Sequence, residues 1–338
     1  MIDLRSDTVT KPTRAMREAA FEAEVGDDVY EEDPTVKELE NRAVEITGKE
    51  AALFVTSGTQ GNQISVLTHC QPGDEVLMEA NAHLFLYEGA SMSALAGVQP
   101  RTLQGTRGAM NPHDVKAAIR PDDIHFPETG LICLENSHNK AGGAILPLEN
   151  MQDIHQIAQE SGIPVHLDGA RLFNASVASG IPVKTYAEQT DTIQFCLSKG
   201  LGAPVGSIIA GSEDFIRKAR KWRKRLGGGL RQVGIIAAPG LVALNDMVDR
   251  LAEDHEHAQQ LAEGLGTIEG LEIENNVDTN IVLVNVGGRG KTSHEFLEDL
   301  KTQGVLAVPF GPYTVRFVTH YDASGEDIDR VIERVNQF

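Results

Sequence analysis

The chain has 338 residues, 41% hydrophobic and 23% charged, an ordinary globular composition with material for one or two buried cores. Asp and Glu number 49 against 30 Lys and Arg, and the formal charge of −19 argues against a nucleic-acid partner and against an anionic membrane surface. No run approaches the roughly 18 apolar residues of a membrane span. Three scattered cysteines, Cys70, Cys133 and Cys196, argue against a disulfide framework and against a zinc site, and no metal is expected.

The opening MIDLRSDTVT lacks a charged-then-apolar leader pattern, which predicts a cytoplasmic protein. Residues 1–45 are polar with few strand signals and are expected to wrap over the rest. Short apolar runs follow at 51–55, 75–78, 131–135, 164–167, 192–197 and 206–210. They read as strands covered on both faces. Helix-like stretches such as 149–161 and 213–225 lie between them. Alternation of this kind predicts an α/β unit with a mainly parallel central sheet flanked by helices, placed at 46–243. The basic run RKARKWRKR at 217–225 reads most simply as a solvated helix face, or as a surface that meets an acidic neighbouring subunit.

Residues 244–338 read as a smaller α+β unit. Met247, Leu251, Ala258, Leu261 and Leu265 form a helical stripe. Strands are expected at 281–286, 305–308 and 313–319. Thr292 and Glu295 have capping-box spacing, and Ile328, Val331, Ile332 and Val335 mark a closing helix.

Three features carry chemistry. Lys199, in LSKGLGAPVGS, ends an apolar strand and opens a Gly-rich loop. Open α/β sheets build their sites at such strand ends, and lysine is the side chain that forms Schiff bases. Asp168, in HLDGARLF, also ends a strand. It could hold a protonated ring nitrogen or simply cap the next turn, with Arg171 close behind. Ser57, Gly58 and Thr59 lie where a strand runs into a helix-compatible stretch, a place suited to phosphate. The spacing matches neither a P-loop nor GxGxxG, which weakens a nicotinamide-dehydrogenase reading. An amine, a carboxylate and a phosphate cradle together meet the needs of pyridoxal 5'-phosphate.

The chain resembles the L-threonine aldolases, pyridoxal-phosphate enzymes of the aspartate-aminotransferase fold (fold type I). The resemblance spans essentially the whole length. It rests on IDLRSDTVT at 2–10, EVGDDVYEEDPT at 24–35, KEAALFVTSGTQGN at 49–62, LENSHN at 134–139, HLDGARLFNA at 166–175, CLSKGLGAPVGS at 196–207 and GGGLRQVG at 227–234. It implies that Lys199 holds the cofactor as a Schiff base, Asp168 pairs with the ring nitrogen and Arg171 contacts the ring hydroxyl. Ser57, Gly58, Thr59 and Arg231 would bind phosphate, and His83 would stack on the ring. Ser6 and Arg316 would bind the substrate carboxylate, with Tyr30 and Tyr87 also near the substrate. His125 would sit near the substrate hydroxyl, so that His83 or His125 is the base, and Lys224 would be lent by a neighbouring subunit. Glu88 lies close by with no fixed role.

Strand alternation in YTVRFVTH independently sets Arg316 on the face opposite Val315 and Phe317. The implied activity is reversible cleavage of β-hydroxy-α-amino acids to glycine and an aldehyde, by a homotetramer built as a dimer of dimers. The alternatives are a β-eliminating lyase or aminotransferase on the same fold, or a non-catalytic cofactor-binding protein.

Overall fold

The computed structural model describes residues 1–337, and its central feature is a seven-stranded sheet. The strand order is 51–55, 207–211, 192–196, 165–168, 129–135, 75–79 and 99–103. Ser207–Gly211 runs antiparallel to both its neighbours, and the other six strands are parallel to one another. Successive residues of one strand feed opposite faces, as the pleat requires. Leu53, Val55 and Ile209 pack with Ile64, Phe215 and Ile216. Ala52, Phe54, Ile208 and Ala210 pack instead with Val36 and Leu39. Both faces are therefore apolar, which is why these strands read as unbroken hydrophobic runs.

One strand of the sheet was not legible. Gln99–Leu103 (QPRTL) pairs on one side only and is half-exposed. An edge strand tolerates proline and arginine, and so loses the apolar signature.

The second core gathers Ala258, Leu261, Leu265, Phe296, Leu300, Val315, Phe317, Ile328 and Val331 around a four-stranded antiparallel sheet. The capping box at Thr292 and Glu295 is formed at the start of helix Ser293–Thr302. The stripe expected from Met247 to Leu265 divides: Met247 and Leu251 belong to the large core, and only Leu251–Gly266 is continuous helix there. The strand expected at 305–308 is two short pieces. Val305–Leu306 pairs in parallel with Ile2–Asp3, and Val308–Pro309 pairs with Thr314–Val318.

The N-terminal segment joins both cores. Ile2 and Leu4 pack in the smaller one, and Met16, Val36, Leu39 and Ala43 in the larger. The divisions expected at 45/46 and 243/244 fall inside the helices Pro34–Thr47 and Gly234–Asp246. No helix among the described residues is long and apolar enough to cross a membrane.

Candidate active site

The parallel strands end side by side, with Glu135 in register with Asp168 and Asp168 with Gln194. Lys199 follows three residues after Cys196 ends the next strand. Its carbonyl accepts from the Thr10 hydroxyl at 3.1 Å and from the Gly202 amide at 2.8 Å. The backbone is pinned, while Nζ makes no hydrogen bond or ion pair among the described residues. Gly206, at φ +106°, lets this loop turn back into the next strand; a Cβ there would lie 2.4 Å from the Phe54 ring.

Asp168 is buried and does two things at once. Oδ1 accepts the Ala170 amide at 3.1 Å, the turn-capping role, and Oδ2 accepts from Asn62 Nδ2 at 2.9 Å. A carboxylate keeps further lone-pair capacity for a ligand proton.

Helix Gly58–His69 starts at Ser57, whose Oγ accepts the Gln60 amide at 3.1 Å. The Gly58 and Thr59 amides come before any intrahelical acceptor, so two donors and the positive dipole end stay available to an anion. The helix start lies tight against the sheet: a Cβ on Gly58 would stand 2.9 Å from Cys196 Sγ.

A cleft of about 390 Å³ lies over these strand ends and is lined by Ser6, His83, Tyr87, Arg171, Lys199 and Arg316, together with Thr8, Asn139 and the segment Val308–Phe310. The His83 amide donates to Glu135 Oε2 at 2.7 Å, and Nδ1 faces Glu88 Oε1 at 3.0 Å. Burial opposes a charge on His83, but the Glu88 hydrogen bond and the nearby Asp168 raise its pKa above the usual 6.5. Because Nδ1 faces a carboxylate it carries the proton, which leaves Nε2 as the free base. Glu88 is itself buried and also accepts from Asn62 Nδ2 at 2.8 Å and Gln63 Nε2 at 2.6 Å.

Arg171 is buried, not exposed. Its Nε and Nη2 meet Asp7 at 2.8 and 2.7 Å, so both Nη1 hydrogens and the second Nη2 hydrogen remain for another acceptor. Burial would raise the Asp7 pKa, yet Arg171, Lys199 and an Asn280 hydrogen bond hold its carboxyl well below the usual carboxylate range.

Arg316 lies mid-strand between Leu283 and Val308, with Val315 and Phe317 fully buried on the opposite face. Nη1 donates to Asn139 Oδ1 at 2.9 Å and Nη2 to the Arg5 carbonyl at 3.3 Å. Nε is buried with no acceptor, and no carboxylate of the described residues pairs with this guanidinium. Burial, with Arg171 nearby, pushes its pKa down to about 10. Such a cation is arranged for an anionic ligand.

Four sequence-predicted residues lie away from this cleft. Tyr30 is 73% exposed, and Lys224 is exposed. His125 is exposed and bonds to Asp123 of its own loop at 2.6 Å. Arg231 pairs with Asp27 at 3.0 Å. The basic helix is not wholly solvated, since Arg223 is buried against Asp28 at 2.5 Å and Arg220 reaches Glu40 at 3.2 Å. Sequence reasoning missed Asp7, Asn62 and Asn139 as site-forming groups. All three stand inside quoted motifs, but nothing in a sequence shows which acceptor a buried polar side chain will meet.

Fold and cleft define an α/β enzyme of the fold-type-I class, with a lysine and an aspartate at neighbouring strand ends. The beta-eliminating lyase family matches residues 3–288, and the chain belongs to that family. The chain is 48% identical to "Probable low-specificity L-threonine aldolase 2" of Arabidopsis thaliana over 98% of its own length and 95% of the relative's. It is 45% identical to the low specificity L-threonine aldolase of Escherichia coli strain K12, with 98% and 97% covered. The fold is shared with the threonine aldolase of Leishmania major at a TM-score of 0.86 and 18% identity, covering 100% of this chain and 99% of that one.

Proposed function

We propose that this chain is a pyridoxal-phosphate-dependent lyase that reversibly cleaves L-threonine, L-allo-threonine and related β-hydroxy-α-amino acids to glycine and an aldehyde. The observation that carries the reading is the cleft in which Lys199, His83, Ser6 and Arg316 meet, with Arg316 half-buried, its Nε buried without an acceptor and no carboxylate partner among the described residues. The full-length relatives named as low-specificity L-threonine aldolases support it.

The residues present fit the cofactor. Lys199 offers an unpartnered amine, Asp168 an acceptor at a strand end, and Gly58 and Thr59 two amides without intrahelical acceptors, at a helix start seated tightly on Cys196 and Gln194. When bound, the cofactor supplies the electron sink for the pair released as the Cα–Cβ bond breaks. Lys199 would anchor it, Asp168 would hold the ring-nitrogen proton, and Arg171 would contact the ring hydroxyl through a guanidinium N–H that Asp7 leaves free. Ser57, Gly58 and Thr59 hold the phosphate.

Arg316 and Ser6 take the substrate carboxylate and so set the direction in which Cα–Cβ points. Nε2 of His83 removes the β-hydroxyl proton, while Glu88 fixes the opposite nitrogen. Tyr87 closes the wall beside His83, its ring 5.6 Å away. The exposed Tyr30, His125, Lys224 and Arg231 complete the site of a second copy, within a homotetramer that works in the cytoplasm.

Incubation with L-threonine and with L-allo-threonine, separately, tests the reading. Acetaldehyde and glycine in equal amounts are expected. Ammonia and 2-oxobutanoate would indicate the elimination chemistry for which the family is named and would overturn it.

A further inference from the structure

Behind Asp168 lies a buried run of polar side chains that the proposed chemistry does not use. Asn62 Nδ2 stands 2.9 Å from Asp168 Oδ2 and 2.8 Å from Glu88 Oε1. Carboxylate oxygens accept, so the amide NH2 faces them and Asn62 Oδ1 faces His166 Nε2 at 3.1 Å. An amide oxygen only accepts, so His166 Nε2 carries the proton. His166 is fully buried, which pushes its pKa down to about 3, and the neutral ring must accept at Nδ1. Its partner there is Thr192 Oγ at 3.0 Å. The single hydroxyl proton of Thr192 is thereby committed, and Thr192 Oγ accepts from His69 Nε2, also at 3.0 Å. Burial holds His69 near pKa 4, stacked on Phe215 at 4.8 Å.

The chain geometry makes the run possible. His166 and Asp168 alternate onto one side of their strand, and Thr192 is the register partner of His166. Asn62 and His69 are seven residues apart on one helix, two turns along the same face. Each donor points the same way.

We propose that His69, Thr192, His166 and Asn62 form a one-directional donor chain that ends on Asp168 and holds its carboxylate aimed at a pyridine nitrogen. The proposal rests on the pyridoxal-phosphate reading for its purpose, though not for its direction. The four are positioning residues, since none of them lines the cleft. Aligned hydrogen bonds strengthen one another by roughly 10–30% per bond, so cutting the run in the middle weakens the grip on the ring nitrogen without abolishing it.

Two measurements test it. In the wild-type chain labelled with 15N-histidine, long-range 1H–15N correlation should find His69 and His166 both neutral and protonated at Nε2. A His166 protonated at Nδ1, or charged, overturns the chain's direction. In protein loaded with pyridoxal phosphate labelled with 15N in the ring, Thr192→Val should move the ring-nitrogen resonance toward neutral pyridine. It should also weaken cofactor affinity about two- to fivefold, while Thr192→Ser keeps both at wild-type values. An unmoved resonance in Thr192→Val overturns the proposal. Wild-type protein that takes up no cofactor would overturn the functional reading instead, and the histidine tautomers would still decide the chain.

Discussion

Glu88 Oε1 lies 3.0 Å from His83 Nδ1, and this fixes which nitrogen of the ring can act as a base. Burial alone would lower the His83 pKa; Glu88 and Asp168 raise it. A base works only when deprotonated, so the acid limb of kcat/KM follows that raised value. Glu88→Gln removes the charge, lets burial dominate and moves the acid limb to lower pH. It also lowers kcat, because the weakened base takes the proton less readily, although the amide oxygen can still accept from Nδ1. The pH profile of threonine cleavage checks both effects. An acid limb that stays in place would remove His83 as the base.

Asp7 and Arg171 form a buried bidentate pair, so removing one charge strands the other. Asp7→Asn should cost about 3–5 kcal/mol of stability near neutral pH. The folded-state pKa of Asp7 is depressed below the ordinary 3.8. Its contribution is therefore fully present above that ordinary value and is lost as pH falls through the folded value. Denaturant unfolding of both proteins should show a gap that closes on acidification. A gap independent of pH would contradict the pairing.

The hydrogen-bond partners of Arg316 are an amide oxygen and a backbone carbonyl, its guanidinium lies 5.1 Å from the Phe310 ring, and no carboxylate of the described residues meets it. Arg316→Ala should raise the KM for threonine about ten- to hundredfold, the range expected for hydrogen bonds to a charged group. Cofactor retention should not change. Steady-state kinetics alongside cofactor dialysis separates the two.

The Cβ of a Gly58→Ala variant would meet Cys196 Sγ at 2.9 Å and Gln194 Nε2 at 3.1 Å. Overpacking of this kind costs about 1–3 kcal/mol. Because the helix start shifts with it, cofactor affinity should fall together with the melting temperature. A variant equal to wild type in both would deny the tight seat of this helix.

The sheet was legible because six of its seven strands are short, largely buried runs rich in apolar residues, and the edge strand Gln99–Leu103 escaped for the opposite reason. Ser6, His83, Tyr87, Arg171, Lys199 and Arg316, scattered from one end of the chain to the other, converge on one cleft. Lys199 and Arg171 were legible from strand ends and Arg316 from strand alternation, whereas Ser6, His83 and Tyr87 came only from the resemblance to the aldolases. Asp7 as the partner of Arg171, and Asn62 as the bridge between Glu88 and Asp168, were not legible. Those pairings join residues far apart in sequence and depend on register between elements, which periodicity does not encode. The exposed positions of Tyr30, His125 and Arg231 follow from chain paths rather than from local pattern, while that of Lys224 agrees with the solvated helix face read at 217–225.

In the proposed function the Lys199 amine is the point of attachment for pyridoxal phosphate. Protein loaded with the cofactor, reduced with borohydride, digested and mapped by mass spectrometry should carry one pyridoxyl group, on Lys199, and none in Lys199→Ala. A modified lysine elsewhere, or no modification in protein that still cleaves threonine, would contradict it.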